Sequence, residues 1–459
     1  MSGDARRSEQ DPPAGPTLLL YCGRLPDGRA VDIRIGAGRI EEIGPAGRLS
    51  APERLDLSGY LLLPAPVEPH AHLDEAFATT RPGPEGGDSG AAETVEAAQR
   101  RITEAALSGL GYGATVQRTH VRIGEGYGLR RLEAALQAAR ALRGLAELQV
   151  VARAGPLSSA AGAAGAEGRA LLAEAVAMGA HAIGGCPELD PDPVGFVRTA
   201  AAVAEGSELA LDLHTDAATP HGLARLVEAL DGLPRSGVNL GPCAALGLLR
   251  DDDLLRTLDL LAGSGLTVTC LPQGNRCVGL PPAAGGPRTP SPPLPPVRLL
   301  RAAGVVVAAG SGGLRDRANP VGRADPLESA FLLAAAGELD PADAYDAVSS
   351  AARAVLGLPP VRLVAGSPAD LLAVRGEHLP GVLSGGHSRV VLHAGRVVSR
   401  TSAVREYADP IAPAVPRQGR SGPAGPPAGP PAGPPVGPST GPTNGPSNGP
   451  SNGPSNGPG

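Results

Sequence analysis

The spacing of hydrophobic positions changes twice along this chain. Over residues 17–63 they form short runs, Leu18–Cys22, Ala30–Ile35, Arg39–Ile43 and Tyr60–Leu63, separated by glycine and Pro-Asp-Gly turns. That rhythm predicts a β-meander. From residue 61 onward, apolar runs of four to eight residues alternate with amphipathic or alanine-rich stretches of helical period. Eight strand-like runs fall at 61–67, 113–121, 147–153, 180–185, 208–214, 237–241, 265–271 and 303–309, with helical patterns between them, as at 91–108, 129–143, 219–231 and 251–263. Eight such units in about 290 residues predict a (β/α)8 TIM-type barrel. A doubly wound open sheet is the competing arrangement, but the glycine-rich phosphate turn expected after its first strand is absent. Residues 362–400 return to β rhythm. Neither terminal segment has strands enough to bury a face alone, so 17–60 and 362–400 are expected to form one small composite β-sandwich domain beside a barrel of residues 61–361.

The ends of the chain read differently. Residues 1–16 are polar and expected to be disordered. Beyond residue 409 glycine recurs every fourth position from Gly425 to Gly457. Collagen requires a period of three, so 409–459 reads as a disordered Pro/Gly-rich repeat tail. The proline-rich stretch Pro281–Pro296 follows the seventh strand and is expected to form a stiff rim or lid.

Composition narrows the class of partner. A net charge of −6, 2% aromatic residues and no tryptophan argue against nucleic acid. No apolar stretch approaches the roughly 18 residues of a membrane span. The five cysteines are scattered, odd in number and without a Cys-x-x-Cys pair, which fits a reduced, cytoplasmic protein.

Candidate chemistry lies in the histidines. There are nine. His70 and His72 form a His-Ala-His pair after the first strand, and alternation along extended chain points both the same way. His120 ends the second strand and His214 the fifth. All four therefore fall at C-terminal strand ends, the face on which barrels carry their active sites. His181 begins the fourth strand at the opposite face and reads as structural, and His221 as a capping or rim residue. His378, His387 and His393 belong to the C-terminal β segment.

The runs Val67-Glu-Pro-His-Ala-His-Leu-Asp74, Arg118-Thr-His-Val121 and Asp212-Leu-His-Thr-Asp216, with Gly366-Ser-Pro-Ala-Asp-Leu371 and the His-Ala-Gly-Arg-Val-Val398 ending, resemble the amidohydrolase superfamily and its cytosine-deaminase-like branch. The resemblance spans about residues 17 to 400. It implies one divalent metal, zinc or iron, at the barrel mouth, and hydrolysis of C–N bonds in cyclic amidines or amides. It implies metal ligands at His70, His72 and His214, and a small heterocycle as partner, with His120 a candidate substrate contact. An oligomer is compatible with it.

Four positions depart from the family pattern. Ala217 stands where a proton-shuttling glutamate is expected, Pro242 where a histidine follows the sixth strand, Gly312 where an aspartate follows the eighth, and Gly155 where a glutamine contacts substrate. Asp216 is the candidate replacement base, with Asp74 a second choice. Cys243, beside Pro242, is a conceivable thiolate. Alanine and glycine can neither carry a proton nor bind a cation, so the expectation is a degenerate metal centre whose original deaminase activity is lost or changed. The alternative is a non-catalytic small-molecule-binding or scaffold protein with a Pro/Gly-rich tail.

Overall fold

The computed structural model describes residues 17–78, 93–124, 126–217, 219–230, 237–274 and 294–404. The N-terminal segment, the tail from residue 409 and most of the Pro281–Pro296 stretch lie outside the described residues.

The chain opens with β1 (Leu18–Arg24), β2 (Ala30–Gly36), β3 (Arg39–Pro45), β4 (Glu53–Asp56) and β5 (Tyr60–Pro64). It then lays down β6 (Glu68–Ala71), β7 (Val116–Arg122), β8 (Glu147–Ala154), β9 (Ala182–Gly185), β10 (Ala210–Thr215), β11 (Val238–Pro242), β12 (Thr267–Cys270) and β13 (Val306–Ala309). These eight pair in sequence order, and every pair is parallel. A helix follows each strand: Val95–Tyr112, Arg130–Ala141, Gly162–Ala177, Pro193–Gly206, Pro220–Ala229, Asp251–Ser264, Val297–Ala302 and Pro326–Ala335. Several start on side-chain caps, among them Thr94, Asp192, Thr219 and Asp325, the last three followed by proline at the first helical position. This is the (β/α)8 barrel that the alternating pattern predicts.

The last strands, β14 (Leu371–Arg375), β15 (Arg389–His393) and β16 (Arg396–Thr401), join the first five in a second sheet ordered β16-β15-β14-β5-β1-β2-β3, with β4 on β1. Its strands enclose a core of their own, including Leu20, Ile33, Ile35, Leu62, Leu371 and Leu392.

The first barrel strand differs from its prediction. The run expected at 61–67 is divided. Tyr60–Pro64 pairs antiparallel with β14 in the second sheet, and the barrel strand begins only at Glu68. Alternation explains the placement: Leu61 and Leu63 face the barrel core while Leu62 faces the other. Pro64 and Pro66 lack the N–H needed to continue a ladder, so the chain leaves one sheet and enters the other between them. His70 consequently lies inside its strand rather than after it.

The barrel closes where the chain after β13 meets β6. The His72 N–H donates to the Gly312 carbonyl at 2.9 Å, and the Gly312 N–H donates to the His70 carbonyl at 3.0 Å. Gly312 sits at φ +70°, which suits a residue without a Cβ.

Candidate metal centre

Four histidines meet in the barrel interior, and the period of two explains which neighbours accompany them. On β6 the inward positions are Glu68 and His70, with His72 next beyond the strand; on β7 they are Arg118, His120 and Arg122; on β10 they are Asp212 and His214, followed by Asp216. His70, His72, His120 and His214 are all buried. The Nε2 atoms of His70 and His214 lie 3.0 Å apart, and those of His72 and His214 lie 3.2 Å apart. The His120 ring lies 3.9 Å from that of His70 and 5.0 Å from that of His214, centroid to centroid.

Burial pushes the imidazoles of His70, His72 and His214 well below the ordinary histidine range, and their mutual proximity adds to the effect. Neutral imidazoles are the form that binds metal. Hydrogen bonds alone do not satisfy this cluster, because one Nε2 lone pair on His214 faces two neighbours and the Nδ1 atoms of all three rings have no partner. A tetrahedral site with metal–nitrogen bonds of about 2.0–2.1 Å places its nitrogens roughly 3.3 Å apart. The two separations to His214 fit that spacing, and one ring nitrogen each of His70, His120 and His214 lie within 4.8 Å of one another, so the residues present suit a divalent cation.

Asp212 underlies the cluster. It accepts from the Arg118 guanidinium at 2.9 Å and from the Asn239 carboxamide at 2.8 Å. Its carboxylate lies 3.6 Å from His120 Nε2 and 3.9 Å from His70 Nδ1. Burial opposes its charge, but His120 and Arg118 outweigh burial and hold the carboxyl below its ordinary range. Glu68 does a different task. It accepts from the backbone N–H groups of His70 and Ser311, and burial raises its carboxyl to about 7.

The departures from the family pattern have clear locations. Gly312 is hydrogen-bonded to the His-Ala-His backbone and offers no side chain there. Pro242 ends β11 opposite Thr215 and has no donor atom. Ala217 is buried just past β10. Burial pushes the Cys243 thiol far up, which makes it a protonated side chain rather than a thiolate. Asp74 faces Arg131 at 3.5 Å and accepts from the Arg122 N–H. Asp216 keeps a buried Oδ1 with no hydrogen-bond partner, and burial together with nearby Glu188 raises it to about 6. Outside the cluster, His181 Nδ1 accepts from the Val150 N–H and His378 caps the Leu379–Gly385 helix.

Sequence reasoning passed over Asp212, Glu68 and Glu188. For the first two the signal was available, since each stands two residues before a strand histidine and so faces the same way. Glu188 comes from a short 3-10 turn after β9 and hydrogen-bonds the Thr215 hydroxyl, a contact between distant parts of the chain that no local pattern announces.

No protein-family profile matches the chain. It is 26% identical over 408 residues to a pterin deaminase of Rhizobium rhizogenes, covering 84% of this chain and 92% of the relative. Among solved structures it is similar to an N-isopropylammelide isopropylaminohydrolase from Burkholderia multivorans, with a TM-score of 0.71 and 29% identity over 84% of this chain and 99% of the other. The chain belongs to the amidohydrolase superfamily. A 5-methylcytosine deaminase from Klebsiella pneumoniae shares the amidohydrolase fold, with a TM-score of 0.72 and 23% identity over 85% and 99% of the two chains. Among the described residues no helix is long and apolar enough to cross a membrane.

Proposed function

We propose that this amidohydrolase binds a divalent cation through His70, His72 and His214 and hydrolyses a C–N bond of a small nitrogen heterocycle, with proton transfer reassigned relative to its deaminase relatives. The observation that carries the reading is the approach of the His70 and His72 Nε2 atoms to that of His214, at 3.0 and 3.2 Å, within the buried barrel interior. A cation bound there would supply Lewis acidity and acidify water. The names of the pterin deaminase and the isopropylaminohydrolase support an amino-substituted heterocycle as the substrate class.

The chain's own groups set how protons move. Ala217 can do nothing, but Asp216 is one residue away and poised near pH 6. A carboxyl with that affinity can take a proton from water and return it to a leaving amine, a contribution of roughly 10²–10⁴-fold. Burial keeps it there, helped by repulsion from Glu188.

The test is ammonia or amine release from a panel of aminopyrimidines, aminotriazines and aminopteridines by zinc-loaded protein. Turnover that vanishes in His214→Ala supports the reading, and turnover untouched by that change defeats it. The lack of ligand or acid–base side chains at Ala217, Pro242 and Gly312 favours a second reading, in which the heterocycle is bound and not turned over. Saturable binding without product would establish it.

A further inference from the structure

We infer that His120 is a fourth ligand of this metal centre, donating through Nδ1 while its Nε2 faces Asp212. The inference rests on the reading that His70, His72 and His214 hold a divalent cation.

His120 is fully buried, and neither of its ring nitrogens has a hydrogen-bond partner. A neutral imidazole has one donor and one acceptor, and burying both unpaired is unfavourable unless something else engages them. Its surroundings supply what could. One ring nitrogen of His120, one of His70 and one of His214 all lie within 4.8 Å of one another. On the other side, Nε2 lies 3.6 Å from Asp212 Oδ2. Asp212 is itself fixed by Arg118 and Asn239. A histidine that ligates with one nitrogen and turns the other toward an anchored carboxylate is the usual arrangement around protein-bound metals, because the carboxylate orients the ring and raises its basicity.

The positions across the cavity explain why a ligand from β7 would be recruited. Neither Pro242 nor Gly312 offers a side-chain ligand atom. His120 offers a nitrogen from the near side. The resulting set is four imidazole nitrogens with no anionic ligand, so the water of the proposed reaction would enter as a fifth ligand. Such a site favours zinc and cobalt over magnesium and manganese, whose preferred ligands are oxygens.

Cobalt(II)-loaded full-length protein tests this directly. Each ligating histidine gives one exchangeable imidazole N–H resonance shifted far outside the ordinary proton range by the paramagnetic ion. Four such resonances are expected, and His120→Gln should remove one and weaken cobalt binding at least tenfold. Three resonances in the wild-type protein would overturn the role of His120 and leave the three-histidine site standing. Absence of bound cobalt would overturn both. The wild-type count decides even if His120→Gln fails to fold. A variant that folds with all four resonances and unchanged affinity also defeats the inference.

Discussion

The carboxylate of Glu68 grips the backbone of Ser311: both of its oxygens accept from the Ser311 N–H, at 2.9 and 3.1 Å, and one also accepts from the His70 N–H at 2.9 Å. One side chain thus ties the first barrel strand to the chain leaving the eighth, at the seam where the His-Ala-His pair is presented. Its inward direction follows from standing two residues before His70.

Glu68→Ala should destabilise the protein by about 3 kcal/mol, because two buried N–H groups lose their acceptor. The carboxyl is raised to about 7 by burial, above the roughly 4.3 of an unfolded chain. Its contribution is therefore fully present below the unfolded value and is lost as pH rises through 7. Glu68→Gln should abolish that slope, so wild-type and variant melts should diverge by up to ~3 kcal/mol between acidic and neutral pH. Parallel profiles would show that Glu68 does not titrate in this range.

The imidazole cluster predicts the opposite slope. His70, His72 and His214 are held neutral by burial, each well below the ordinary range. The unfolded chain takes up protons there below about pH 6.5 and the folded chain does not, so metal-free protein should lose stability as pH falls from that point. A bound divalent ion should add to the stability near neutral pH, and its benefit should fade on acidification as protons compete for the ligands. Thermal melts with chelator and with zinc across pH 5 to 8 read both effects. A chelated protein that melts at one temperature throughout would contradict the buried neutral cluster.

How much of this was legible beforehand depended on whether the pattern was local. Eight alternating apolar runs are local, and they yielded the barrel. His70, His72, His120 and His214 were all marked by their place near strand ends, and the structure brings all four together. The first strand was misplaced because Leu61–Leu63 and Glu68–Ala71 both read as buried extended chain, and only two prolines and a sheet partner more than 300 residues away separate them. Asp212 and Glu68 were visible in principle through the i, i+2 rule. The grip of Glu68 on Ser311 and of Glu188 on Thr215 joins segments that only the closed barrel makes neighbours.

Gly312 offers a test of whether a side chain fits at the barrel's closing seam. Its φ of +70° and a Leu271 methyl 3.3 Å from where a Cβ would sit both disfavour a side chain. Gly312→Ala and Gly312→Asp should each cost about 1–2 kcal/mol, and nearly the same amount, since backbone conformation rather than the carboxylate sets the cost. Denaturant unfolding with zinc removed measures this. A Gly312→Asp variant as stable as wild type would mean that the turn accepts an aspartate.

Asp216 and Glu188 provide the last prediction. Asp216 is raised to about 6 by burial and by the charge of Glu188. As a base it must be ionised, so turnover should rise with pH through about 6 and level off above it. Glu188→Gln removes the repelling charge, which makes ionisation of Asp216 easier and moves that midpoint to lower pH. Asp216→Asn should lower kcat/KM by roughly 10²–10⁴-fold across the range, the usual worth of a positioned acid–base group. Carbon-13 NMR of the labelled Asp216 carboxyl reads the same midpoint without any substrate. If the midpoint stays fixed in Glu188→Gln, the two carboxyls are not coupled and Glu188 serves only to hold Thr215.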